Sequence, residues 1–105
     1  MRVVHLSTKD WSVHAFVAGT FADRLFGTFH TPPGSALVLR SRSVHSFGQR
    51  AAMDIVGLDG AMRVLATRRL EPNRVALLPS ARMIVELPAG SPLPAVDDRV
   101  EMTDG

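Results

Sequence analysis

Two apolar runs, Met53-Asp54-Ile55-Val56-Gly57-Leu58 and Ala61-Met62-Arg63-Val64-Leu65-Ala66, are separated by Asp59-Gly60. Asp-Gly between such runs is a strong short hairpin signal, because a type I′ turn needs positive φ at both central residues. A hairpin here commits the middle of the chain to antiparallel sheet. The segments on either side are then too short and too interrupted for a helical bundle. Arg2–Leu6 reads as a strand. From Trp11 to Ala18, the residues Trp11, Val13, Ala15 and Val17 share one parity, as in a half-buried strand. Lys9-Asp10 is the turn between these two. Ala36–Leu39, Val75–Leu78, Ala81–Leu87 and 98–102 supply further strand-length runs. Thr31-Pro32-Pro33-Gly34-Ser35 and the proline-rich stretch 88–94 are loops, since proline cannot sit inside a helix.

One segment reads as a helix. In Gly19–Gly27, Thr20 caps the N-terminus, Asp23 stands at the capping-box position, and Gly27 provides the stop. The expected architecture is therefore mostly β: a β-rich α+β single domain over residues 1–105. Its sheet is expected to be largely antiparallel and barrel- or sandwich-like, with one short helix.

The chain has 105 residues, 46% of them apolar, enough for one packed core. No cysteine is present, so packing rather than disulfides must hold the fold, which suits a reducing compartment. No apolar stretch approaches the ~20 residues of a membrane span or the pattern of a signal peptide, so a cytoplasmic location is expected. The charge is uneven. Residues 37–82 carry Arg40, Arg42, Arg50, Arg63, Arg68, Arg69, Arg74 and Arg82 against Asp54, Asp59 and Glu71, whereas 83–105 are acidic apart from Arg99. Nucleic-acid binding would need stacking aromatics on a basic face, but the Phe residues fall mainly at apolar-pattern positions. Arg68-Arg69, with Arg63 and Arg74, reads as a solvated hairpin face.

His45, Arg50 and Asp54 lie within ten residues, next to Phe47. Read as a site, they form a polar cleft. His45 would exchange a proton near neutral pH, Arg50 would hold an anionic group in its guanidinium fork, and Asp54 would orient either of them. Read structurally, Asp54 accepts backbone N–H groups or pairs with Arg50, and His45 is satisfied in the core. Glu86, by parity, points away from Met83, Val85 and Leu87. It either faces water or pairs with an arginine such as Arg24 or Arg50. His5, His14, His30 and His45 are too scattered for a metal site, and no phosphate loop or nucleophile elbow is present. Ser43 and Ser46 flank His45, but neighbours in an extended chain point to opposite faces. No cofactor is expected.

Several blocks resemble the DUF192 family, also called UPF0127, a group of small prokaryotic domains. They are Arg24-Leu25-Phe26-Gly27, Ser43-Val44-His45-Ser46-Phe47-Gly48, Met53 to Gly60, Ala81 to Gly90, and Asp97-Asp98-Arg99-Val100. The resemblance spans about residues 20–102. It implies that family's compact, mostly β fold with a short helix, and it implies no reaction. The chain departs from the family at Thr28, Gln49, Ala51-Ala52 and Asp97. The changes at Gln49 and Ala51-Ala52 thin the apolar wall around the expected cleft. The leading expectation is a non-enzymatic accessory domain that binds a small polar or anionic ligand, or a partner protein, through His45, Phe47, Arg50, Asp54, Arg24 and Glu86. The alternatives are a hydrolase or lyase with His45 as base and Arg50 as anion stabiliser, and an adaptor in a pilus- or secretion-associated assembly.

Overall fold

The computed structural model of the chain describes residues 2–19 and 35–105. Among the described residues nine strands form two sheets: β1 (Arg2–Ser7), β2 (Ser12–Val17), β3 (Ala36–Leu39), β4 (Ser43–His45), β5 (Met53–Leu58), β6 (Val64–Leu70), β7 (Val75–Leu77), β8 (Met83–Pro88) and β9 (Glu101–Asp104). Seven of them make one mixed sheet in the order β6-β5-β8-β3-β2-β1-β9, and β4 and β7 pair as a separate ribbon. Every pairing is antiparallel except β2 with β3. The fold is thus mostly β, and the described residues contain no helix. The helix expected at 19–27 lies, apart from Gly19, outside the described residues.

The large sheet is open but curled. Arg63 and Arg99 form an isolated antiparallel bridge. Around it, Val64 N–H donates to Asp98 O at 2.9 Å, Asp97 N–H to Val64 O at 2.9 Å and Val100 N–H to Met62 O at 2.8 Å. The start of β6 is thereby stitched to the segment entering β9. The hollow of the curl holds one apolar cluster, in which Val4, Leu6, Val56, Leu58, Val64, Val85 and Val100 are almost fully buried. Trp11, Ala15 and Val17 belong to it, as their common parity requires.

The other face carries a second cluster. Leu37, Leu39, Met53, Ile55 and Ile84 of the large sheet pack with Val44, Ala76, Leu78 and Ala81 of the ribbon and its exit. β5 is buried along its whole length because both of its faces are covered. This explains why Met53–Leu58 reads as a continuous apolar run rather than an alternating one.

The hairpin after β5 exists, but its turn is not the one that Asp-Gly suggests. Asp59 N–H donates to Arg63 O and Met62 N–H to Asp59 O, both at 3.0 Å, leaving a three-residue loop. Met62, at φ 64°, takes the left-handed position rather than Gly60. The cause lies in the Asp59 side chain. Its Oδ1 accepts the N–H of Ala61 at 2.8 Å and of Arg63 at 3.0 Å, and so organises the longer turn. β6 therefore starts at Val64 and runs to Leu70 rather than over 61–66.

Candidate functional site

The site is built on β4, a strand absent from the strand-length runs read in the sequence. Its three residues alternate. Val44 is buried under the ribbon, while Ser43 and His45 face outward opposite Leu77 and Val75. Continuing inward, Ser46 is fully buried and ties two loops together. Its hydroxyl donates to Glu71 O at 2.5 Å and accepts the N–H of Arg74 at 2.9 Å. Its own N–H donates to Arg74 O at 2.9 Å, and its carbonyl accepts the N–H of Gln49 and of Asn73. Gly48 N–H adds a bond to Asn73 Oδ1 at 3.1 Å. Gly48 and Asn73 both adopt positive φ, 80° and 60°, which suits glycine and asparagine. The Ser46 hydroxyl is therefore spent on backbone and faces away from His45.

His45 and Phe47 are brought together. Their rings stack with centroids 5.2 Å apart and planes 23° apart. His45 Nδ1 accepts the N–H of Phe47 at 3.3 Å, which leaves Nε2 as the outward nitrogen. Phe47 is 53% exposed, and Val75 and Leu77 are 55% and 64% exposed. Three large apolar side chains thus sit in water on one side of a short ribbon. Exposed Arg42, Arg50 and Arg74 flank the same segments. Arg50 makes no hydrogen bond or ion pair among the described residues.

Asp54 is elsewhere. It shares parity with Val56 and Leu58, which line the hollow of the curl, whereas Met53 and Ile55 pack against Val44 of the ribbon. His45 points outward from that ribbon. The large sheet and the ribbon therefore lie between His45 and Asp54. Asp54 is buried, and it accepts Arg69 Nε at 2.9 Å, Arg69 Nη2 at 3.4 Å and Gly90 N–H at 2.8 Å. The Arg69 hydrogen bonds hold its carboxyl below the usual aspartate value, with help from the Gly90 N–H and against the cost of burial. The structural reading of Asp54 is thus the one observed, with Arg69 and not Arg50 as partner. Arg69 was missed because the longer turn sets the register that places it opposite Asp54. It remains 52% exposed while its neighbour Arg68 is solvated, so the hairpin face is only partly free.

Glu86 does point away from Met83, Val85 and Leu87, but not into water. It is 7% exposed, between Leu37 and Ile55 on the buried second face. Parity identified its side, but sequence could not show that the ribbon end of the molecule makes that side an interior. Arg24 lies outside the described residues. The expected common cleft of His45, Arg50 and Asp54 is thus replaced by an exposed ribbon face around His45 and Phe47. Among the described residues no group of three His, Asp or Glu side chains could hold a metal ion, and no helix is long and apolar enough to cross a membrane.

The molecule so defined is a curled mixed sheet with a ribbon on its outer face. No family model matches the chain, and no curated protein matches it. Among solved structures, a protein of Sinorhizobium meliloti 1021 described as a putative transcription regulator is similar at a TM-score of 0.72 and 15% identity, over 96% of this chain and 92% of that one. A protein of unknown function from Novosphingobium aromaticivorans DSM 12444 is similar at 0.66 and 16% identity, over 94% and 83%. At these identities the likeness shows the fold alone.

Proposed function

We propose that the chain is a non-enzymatic binding domain that docks an acidic, apolar-bearing segment of a partner protein on the outer face of β4 and β7. The observation behind this reading is the row of exposed Phe47, Val75 and Leu77 beside the His45 ring. Clustered apolar surface of this kind marks interaction sites, whereas isolated exposed apolar residues do not. Arg42, Arg50 and Arg74 give the rim a positive sign, which favours an acidic partner and speeds its encounter. His45 contributes a stacked, rigid ring and the outward Nε2 as a hydrogen-bonding group. In the hydrolase or lyase alternative His45 acts as a base. It has lost the carboxylate expected to orient it, because Asp54 is engaged by Arg69 and Gly90 behind the sheet. A cytoplasmic location and kinship with the DUF192 family belong to the same proposal. The residues that carry the resemblance, Ser46, Gly48, Asp54, Asp59 and Gly90, do structural work here.

The test is an amide chemical-shift titration with a synthetic peptide that alternates glutamate with leucine and phenylalanine, and with its lysine counterpart. Saturable shifts confined to residues 42–50 and 74–77, present with the acidic peptide and lost in Phe47→Ala with Leu77→Ser, are expected. Equal response to the lysine peptide, or shifts confined to other surfaces, would remove the proposal.

A further inference from the structure

A second feature lies on the far side of the large sheet's midline, where β2 and β3 part. β3 begins only at Ala36, which pairs with Ala15, so the first half of β2 runs on without β3 beside it. The loop after β8 approaches across the gap, and a cleft of about 400 Å³ opens between them. Its lining includes the two buried alanines that open the β2–β3 pairing, Ala15 and Ala36. Trp11, Phe16, Pro88 and Pro92 supply ring surfaces to the lining, and Ser12, His14, Ser35 and Ser91 its polar side chains.

The walls are fixed in advance. Trp11 Nε1–H donates to Pro92 O at 2.9 Å, which locks the indole to the loop. Ser91 donates to Pro88 O through its hydroxyl at 2.6 Å and its N–H at 3.1 Å, which stiffens the loop between the two prolines. A ligand entering such a site orders little that is not already ordered. The lining among the described residues contains no Arg, Lys, Asp or Glu, in a protein whose charged residues amount to 21%. An anion would find no Arg or Lys there, and a cation no carboxylate, among the described lining residues, so neither gains a fixed counter-charge for the hydration it gives up.

We infer that this cleft is a binding site for a small, uncharged, ring-bearing molecule with one hydrogen-bonding group, held against the wall that Trp11 and the Pro88–Pro92 loop form together, with β2 opposite. The size and the mix of apolar wall with a few hydroxyls are those of ordinary small-molecule sites. This site is separate from the ribbon face and does not depend on that reading.

Trp11 is the single tryptophan of the chain, so its fluorescence reports on the cleft directly. The probes are benzamide, benzoate and benzamidinium, three near-isosteric rings that are neutral, anionic and cationic. Benzamide is expected to change Trp11 emission and shift its indole N–H resonance saturably, with a dissociation constant of about 10 mM or tighter, as suits a fragment of this size. The two ions should bind at least about tenfold more weakly. Ala15→Leu, which adds bulk to the lining, should abolish the benzamide response. Ser35→Leu at the rim should do so too, and keeps the test open if the first variant does not fold. Absence of a saturable benzamide response would overturn the proposal. So would equal responses to all three probes, or a response that survives Ser35→Leu in a folded protein.

Discussion

Ser46→Ala removes one oxygen atom from the fold, and its effect follows from the two shorter hydrogen bonds that oxygen makes, a third and longer one reaching Arg74 O at 3.3 Å. The hydroxyl accepts the N–H of Arg74 at 2.9 Å and donates to Glu71 O at 2.5 Å, with the serine fully buried. Alanine fits the space but leaves an N–H and a carbonyl without that partner. A stranded buried group costs about 1–3 kcal/mol. Glu71 and Arg74 are exposed residues, so water can reach part of each group and the lower end applies. The sum is about 2–3 kcal/mol. At about 4–8 °C per kcal/mol for a domain of this size, Tm should fall by roughly 8–24 °C. The assay is urea unfolding followed by Trp11 fluorescence, with Ser43→Ala as the control, since Ser43 faces outward on the ribbon. Ser46→Ala should lower the midpoint without changing the slope, and Ser43→Ala should stay within about 0.5 kcal/mol of the parent. If Ser46→Ala also stays within that margin, the hydroxyl does not lock β4 to the 71–74 turn.

Other expectations follow from the same geometry. The Asp54 carboxyl is held below its ordinary value in the folded state, so its contribution is complete above the unfolded value near 3.8 and is lost as pH falls through the lower folded value. Asp54→Asn should therefore be destabilised by about 1–2 kcal/mol at neutral pH, discounted for the half-exposed Arg69, and acid titration of unfolding should show the gap to the parent closing below pH ~4. Gly57→Ala would place a Cβ 2.8 Å from Leu78 Cδ1. It should cost about 1–3 kcal/mol, and Leu78→Val in the same chain should recover part of that in a double-mutant cycle; simple additivity would refute the contact. Asp59→Ala strips acceptors from the Ala61 and Arg63 N–H groups and should cost about 1–2 kcal/mol, with faster hydrogen exchange confined to the β5–β6 turn.

How much of this was legible in the sequence depended on what each signal encodes. Local patterns placed these strands: alternation marked β2 and assigned Trp11, Ala15 and Val17 to one core face, while short apolar runs marked β1, β3 and β5. β4 was missed because three residues, one of them buried, offer no pattern to count. Asp59-Gly60 marked the hairpin, but the turn was decided by a side chain bonding two backbone groups, and composition does not show that choice. The shift carried forward into β6 and hid the Asp54–Arg69 pair. Closeness in sequence placed His45, Arg50 and Asp54 in one cleft. Which side of which sheet each one faces is a property of the packed layers, and it separated Asp54 from the other two. Ser46 left a trace in the sequence, as a serine two residues before a glycine where a strand enters a turn, but its partners lie 25 and 28 residues away.

The Arg63–Arg99 bridge bears on how copies of the molecule meet in concentrated solution. An open sheet has two free edges, and here they carry opposite signs: Arg68 and Arg69 on β6, Glu101 and Asp104 on β9. Two β6 edges repel each other, as do two β9 edges, whereas β6 of one copy attracts β9 of the next, the head-to-tail geometry that propagates into fibres. Residues 97–100 already occupy the start of the β6 edge, through bonds to Met62 and Val64. An incoming strand finds its first docking positions taken by the chain's own backbone, so the one contact that charge would favour is capped from within.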